Sequence, residues 1–316
     1  MSDATTPSVS RAWLALCRVP NLLTVPGEPV AGFLLASAPD AQQLSLHALL
    51  LVVGCSLCLY LFGLVLNDVM DVEEDRRDRP DRPIPSGAIS IHQARIFAVL
   101  VGLLGLNLAT LLNRPTLFAA VALATLIFLY DAFLKRVPVI GVLAMGLCRG
   151  GSFLLGILAA NPRFYHLEST DISPLIPVSL AFLAVTLYVT GFSQVAKHET
   201  EVDAKRTRFR QFPFVALVIT LPAFAWFSIQ ARHLPSFVTP LLCFFAVISL
   251  MRAWFLGSVF YFIQPVPETV GGHIRNLLLL QATLCLGAGV NGILPAVTFL
   301  LLSVAFKRLS RRFYSS

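Results

Sequence analysis

Charge is scarce in this sequence. Asp, Glu, Lys and Arg make up 13% of its 316 residues, about half the share usual in a soluble domain. That shortage excludes a string of water-facing domains, although the length alone would accommodate two. Strict alternation of polar and apolar residues is missing too, which excludes a membrane-spanning β-barrel. The histidines are scattered and form no HExxH, so a zinc site is not expected. Cys55 and Cys58 have metal-site spacing but no second Cys or His pair near them. The six cysteines read as inert: Cys55, Cys58, Cys148, Cys243 and Cys285 fall well inside apolar runs, and Cys17 lies near the start of one. No compact apolar region followed by a small-residue cleavage site opens the chain, so no secretory signal is expected.

Apolar runs of about 20 residues are what the sequence has instead, and hydrophobic residues reach 56%. Such runs cross a hydrocarbon core of about 30 Å as helices. Spans are predicted near 13–38, 44–66, 91–112, 115–134, 138–160, 173–196, 212–230, 235–263 and 276–304. The expected architecture is all-α: a polytopic membrane protein of about nine transmembrane helices, folded as one domain over 1–316. Residues 1–10 are expected to be a disordered tail and 306–316 a basic tail. The first span is interrupted by Pro20, Pro26 and Pro29, which a bundle absorbs where neighbouring helices satisfy the freed carbonyls.

Basic residues set the orientation. With the N-terminus inside, Arg11, Arg18, Arg76, Arg77, Arg79, Arg82, Lys135, Arg136, Lys197, Lys205, Arg206, Arg208, Arg210 and Arg275 all fall on the inner side. The outer loops hold only Arg114, Arg163 and Arg232. Nine spans leave one conflict, because they put Lys307, Arg308, Arg311 and Arg312 outside. The net charge of +7 reads as topology and lipid-surface contact, not nucleic-acid binding.

Few segments break the apolar pattern, and two of them are acidic. The first, Asn67-Asp68-Val69-Met70-Asp71-Val72-Glu73-Glu74-Asp75, starts where the second span reaches the inner face. Asn67, Asp71 and Asp75 stand at i, i+4 and i+8, one face of a continuing helix. Stacked carboxylates repel unless a cation lies among them, and Mg²⁺ suits one or two carboxylates together with substrate phosphates. The alternative is a solvated acidic loop. Downstream, Arg82-Pro83-Ile84-Pro85-Ser86-Gly87 is stiffened by two prolines and turned at Gly87, which would hold Arg82 near the acidic helix end.

The second acidic segment, His198-Glu199-Thr200-Glu201-Val202-Asp203, closes the sixth span on the same side. Glu199 and Asp203 repeat the i, i+4 spacing, and Lys205 and Arg206 are near enough to neutralise phosphate. A third segment, Tyr130 to Arg136, brings a hydroxyl and the cations Lys135 and Arg136 to the same depth. The alternative for the second acidic segment is a juxtamembrane charged loop, and for the third it is snorkelling interfacial anchors. Arg149, about ten residues into the fifth span, costs about 2.5–3.5 kcal/mol to insert unpaired, so it is expected to face a polar cavity. Arg252 invites the same argument without a neighbouring motif.

At these residues the sequence resembles the UbiA family of intramembrane prenyltransferases. The resemblance rests on the NDxxDxxxD run Asn67–Asp75, the RPxPSG run Arg82–Gly87 and YxxxxKR at Tyr130–Arg136. Arg18-Val19-Pro20-Asn21 in the first span and the nine-span layout extend it to nearly the whole chain. The resemblance implies a helical bundle around a central cavity, capped on the cytoplasmic side by two acidic motifs that bind a prenyl diphosphate through Mg²⁺. The prenyl chain would lie in an apolar tunnel, and the acceptor would be aromatic or another lipophilic small molecule. Carried over by position, Asn67, Asp71 and Asp75 would ligate metal, together with Glu199 and Asp203. Of these, Asp71, Asp75, Glu199 and Asp203 would be catalytic. Asn67, Asp68, Arg82, Tyr130, Lys135, Arg136 and Arg149 would bind substrate. The second motif departs from the family pattern: Glu199 replaces an aspartate, and Ala204–Arg210 is basic and lacks glycine. Two other functions stay open at this point, a membrane terpene cyclase on the same scaffold and an isoprenoid carrier or lipid-binding protein that has lost chemistry.

Overall fold

In lipid a backbone must satisfy its own polar groups, and a continuous apolar run does so as helix. The computed structural model describes residues 9–37, 44–161, 173–197, 210–258 and 266–314, and these contain helices without strands. The chain opens with three short helices, α1 (Val9–Leu16), α2 (Val19–Leu22) and α3 (Gly27–Ala36). It continues through α4 (Leu46–Met70), α5 (Val72–Asp78), α6 (Ile91–Thr110), α7 (Arg114–Ala132), α8 (Pro138–Ala160) and α9 (Leu175–Lys197). The last four are α10 (Phe212–Arg232), α11 (Val238–Ser258), α12 (Val266–Leu286) and α13 (Ile293–Tyr314).

Eight helices among the described residues are long and apolar enough to cross a membrane. Their outer faces carry bare large hydrophobics, such as Leu100, Phe118, Ile219, Trp226, Phe244 and Leu301. Water would penalise such a surface; lipid solvates it. This is an integral, multi-pass membrane protein.

Two predicted spans are corrected. The stretch 13–38 is not one helix but α1, α2 and α3, because Arg18 adopts the left-handed conformation (φ 43°) and Pro20 and Pro26 stand where donors are missing anyway. All ten residues of α3 are buried, against α8. The two backbones touch through Gly32 and Gly156: a Cβ on Gly156 would meet Phe33 N at 2.8 Å, the small-residue contact that brings membrane helices together.

The stretch 276–304 is likewise two helices. The chain reverses between Leu286 and Ile293 through a 3-10 turn at Gly289–Gly292, with Gly289 at φ 81°. The helix before the turn, α12, is buried continuously over 276–287. Glu268, His273, Arg275, Asn276 and Gln281 dilute its hydropathy, so the sequence pattern hid its first half. This extra reversal resolves the conflict over the basic tail. Gly191 abuts Pro213, and Gly257 abuts Arg210, so α9, α10 and α11 meet at one end of the bundle. From there α12 runs away and α13 returns. Lys307, Arg308, Arg311 and Arg312 therefore belong to the end where α9 finishes. At the opposite end, Asn113 Nδ2 donates to Leu158 O at 2.9 Å and Arg232 donates to Leu35 O.

Candidate active site

The first acidic run lies where α4 ends and α5 begins. Asp71 caps both helices with φ −95° and ψ 8°, so the helix kinks there. The hydrogen-bond ladder nevertheless continues, from Asp71 N to Asn67 O at 3.0 Å and from Asp75 N to Asp71 O at 2.8 Å. Asn67, Asp71 and Asp75 consequently keep one face, and all three line a cavity of about 450 Å³.

The aspartates of this run are each met by a cation from outside it. Lys135 Nζ donates to Asp71 Oδ1 at 2.5 Å and to Asn67 Oδ1 at 3.2 Å. Arg82 donates to Asp75 Oδ2 at 2.6 Å and stands 3.6 Å from Asp68. Arg18 donates to Asp68 Oδ1 at 2.8 Å. The loop carrying Arg82 is fixed from beneath. Ile84 and Ile89 are buried with Val65, Val69 and Val72 under α1, Ile89 N bonds Pro83 O, and Gly87 takes the positive φ that closes the turn. The left-handed turn at Arg18 costs about 1–2 kcal/mol and delivers its guanidinium to Asp68.

The polar cavity is completed by Arg18, Arg79, Arg82, Tyr130 and Lys135, and from α9 by Ser193, Ala196 and Lys197. Lys197 Nζ also lies 3.4 Å from Lys135 O. The second acidic segment begins at the next residue; Glu199 and Asp203, with Lys205 and Arg206, lie outside the described residues. Asp68 is buried behind the cavity wall on Arg18 and Arg82. Arg136 is exposed and lines neither this cavity nor the one beside it.

A second cavity of about 270 Å³ adjoins the first, and Arg18, Asn67, Tyr130 and Met145 line both. Its walls are mostly apolar. On α4 they run from Asn67 through Leu64, Gly63 and Tyr60 to Leu59, about 12 Å along the helix axis at 1.5 Å per residue. Opposite stand Leu123, Ile127 and Asp131 of α7 and Cys148, Arg149 and Ser152 of α8. Arg149 borders this cavity with Tyr60 5.8 Å from its guanidinium. Its charge is satisfied within the bundle, by Glu28 of α3 at 2.8 Å and by Thr24 O at 3.0 Å. Gln281 Nε2 of α12 reaches the same Thr24 oxygen at 2.7 Å. Arg149 thus ties α8 to α3 at the cavity wall, and Thr24 O, shared with Gln281, brings α12 to the same point.

The polar cavity offers hard oxygen donors, Asn67, Asp71 and Asp75, beside five cations, Arg18, Arg79, Arg82, Lys135 and Lys197. Among the described residues no group of three or more His, Cys, Asp or Glu side chains converges as a closed metal cage. Mg²⁺ does not need one, because it keeps waters and shares its sphere with substrate phosphates. The donor set fits that ion.

Sequence reasoning missed Glu28 as the partner of Arg149. The available signal was a pair of lone opposite charges, each within an apolar stretch. It also read Arg18 only through orientation and resemblance, and left Asp131 among the residues of its segment without a role.

Residues 29–264 match the model of the UbiA prenyltransferase family. The chain belongs to that family. A digeranylgeranylglyceryl phosphate synthase of Methanoculleus marisnigri is 33% identical over 195 residues, 61% of this chain and 63% of that one. The chain therefore spans less than two thirds of that relative's length. A solved structure of a digeranylgeranylglyceryl phosphate synthase covers 90% of this chain and 99% of its own, with a TM-score of 0.62 at 23% identity. A UbiA homolog from Archaeoglobus fulgidus bound to GPP and Mg²⁺ covers 96% of this chain and 100% of its own, with a TM-score of 0.61 at 17% identity. At these identities the structures establish a shared UbiA fold.

Proposed function

We propose that this protein transfers an isoprenoid chain from a prenyl diphosphate to a lipophilic acceptor within the membrane. The observation that carries the reading is the junction of two unlike cavities, a charged one and an apolar one, sharing Arg18, Asn67, Tyr130 and Met145. An amphiphile with a diphosphate head and a hydrocarbon tail is the ligand such a junction fits. The head would take the 450 Å³ chamber, held by Arg18, Arg82 and Lys135, and the chain would enter the apolar cavity. The related structure that holds GPP and Mg²⁺ and the relatives named as prenyl-transferring synthases support this assignment.

Asn67, Asp71 and Asp75 would hold Mg²⁺, joined by Glu199 and Asp203 from the second acidic segment. Bound there, the ion would offset negative charge on the leaving diphosphate. Lys135 and Arg82 would act on the same charge, in geometry fixed before substrate arrives. The apolar walls keep water from the allylic carbon as positive charge develops on it. Tyr130, at the border of the two cavities, would orient the reacting end. The basic tail, the Arg76–Arg82 loop and Lys197 share one end of the bundle, which by the excess of Lys and Arg would face the cytoplasm.

Lipids from cells with and without the protein, compared by mass spectrometry, test the proposal. A new prenylated lipid that disappears with Asp71→Ala supports it and names both donor and acceptor. A new cyclic hydrocarbon made from prenyl diphosphate alone, or no protein-dependent lipid at all, overturns it.

A further inference from the structure

We propose that Asp131 is the base that receives the proton of the acceptor's hydroxyl, and that the acceptor therefore meets the donor through an O–H group beside Asp131. The inference rests on the prenyl-transfer reading above and names a group that it leaves without work.

Asp131 closes α7 next to Tyr130. It is 2% exposed, it lines the apolar cavity and not the charged one, and its Oδ2 has no hydrogen-bond partner. Every cation bordering that cavity is already engaged. Arg18 is held by Asp68, and Arg149 by Glu28 and Thr24. Lys135, four residues further along the chain, gives its ammonium to Asp71 and Asn67. Asp131 is thus an acid buried among Ile127, Met145 and Cys148 without an ion pair among the described residues. A carboxylate left in that state opposes folding, and groups kept so in a cleft are candidates for chemistry.

The donor gives Asp131 nothing to bind. A diphosphate would repel it, and a prenyl chain carries no hydrogen to donate. A neutral O–H does fit, and transfer to oxygen must remove its proton. As the acceptor oxygen bonds to C1 of the prenyl chain, the C1–O bond to diphosphate breaks and the diphosphate leaves with the electron pair. The hydroxyl proton passes to Asp131 Oδ2, and Asp131 returns it to water after the product departs. The products are a prenyl ether, diphosphate and one proton.

The test uses the full-length protein in a host lacking its own copy, as wild type, Asp131→Asn, Asp131→Ser and Asp131→Glu. Mass spectrometry measures the protein-dependent prenylated lipid, while the purified proteins are assayed for Mg²⁺-dependent binding of geranyl diphosphate and for thermal unfolding. Expected are at least a hundredfold loss of product for Asn and Ser, recovery to within tenfold for Glu, and donor binding within about twofold of wild type throughout. Asn should also raise the unfolding midpoint, as removal of an unpaired buried acid does and removal of a structural contact does not. The fragment masses should show an ether. A wild-type yield from Asp131→Asn, or loss of donor binding together with a lowered midpoint in both Asn and Ser, overturns the proposal. Failure of the wild type itself to bind geranyl diphosphate would instead strike the transfer reading beneath it.

Discussion

Lys135 Nζ lies 2.5 Å from Asp71 Oδ1, joining the turn after α7 to the end of α4 across 64 positions of sequence. The contact sets a lysine against the very oxygens proposed to ligate Mg²⁺. Lysine and metal ion compete for Asp71 when no diphosphate is bound, and cooperate on the diphosphate when it is. Lys135→Met should therefore move two quantities in opposite directions. Mg²⁺ affinity of the diphosphate-free protein should rise by at least about tenfold, because removing a nearby positive charge removes its repulsion of the ion. Transfer should fall about 10²-fold as one group stabilising the leaving charge is lost. Calorimetric Mg²⁺ titration and a transfer assay on the same preparation check both signs.

The buried pair Arg149–Glu28 is proposed to hold α8 to α3, so its loss should register as stability. Arg149→Met leaves Glu28, which is 0% exposed, without its partner and should cost about 3–5 kcal/mol. The double variant Arg149→Met with Glu28→Leu should regain most of that loss, because the uncompensated charge goes with it. Unfolding in detergent micelles measures the four corners of the cycle. Equal midpoints for the single and double variants would place the stabilisation elsewhere.

Close backbone approach makes a second stability prediction. Gly156→Ala would drive its Cβ into the Pro29–Phe33 backbone and should destabilise by about 1–3 kcal/mol. Gly271 is also helical, but a Cβ there meets nothing within 4 Å. Gly271→Ala should be neutral or stabilising by up to about 1 kcal/mol. The same unfolding measurement compares them.

Depth of the apolar cavity should set the length of chain accepted. Ser152 lines that cavity two turns further into the bundle than Met145 and bonds Ser56 Oγ at 2.8 Å. Ser152→Leu fills the inner part without touching the acidic chamber. Competition between short and long prenyl diphosphates should shift toward the shorter donor by tenfold or more, with Mg²⁺ dependence unchanged.

Much of this organisation was legible before any coordinates. Continuous apolar runs gave about nine predicted spans, and eight helices among the described residues are long and apolar enough to cross, since a membrane permits few other readings of such segments. The spacing of Asn67, Asp71 and Asp75 put them on one face, and the structure keeps that face even through the kink at Asp71. Two things were hidden for a shared reason: hydropathy averages over a helix and cannot see what its polar members touch. His273, Asn276 and Gln281 made α12 look like loop followed by span, yet 276–287 is the longest unbroken buried run among the described residues. Arg149 does border a cavity, but the charge that balances it is Glu28, which hydropathy could not reveal. Pairings such as Lys135 with Asp71 depend on how helices cross, which spacing within one helix does not encode.

Mg²⁺-dependent binding of geranyl diphosphate to the purified protein tests the central claim most directly, read beside Asp71→Ala and Asp75→Ala. Saturable binding by the wild type that chelation abolishes, and at least a hundredfold weakening in both variants at unchanged midpoint, is the predicted result. Binding of equal strength in all three proteins, or binding indifferent to Mg²⁺, would contradict it.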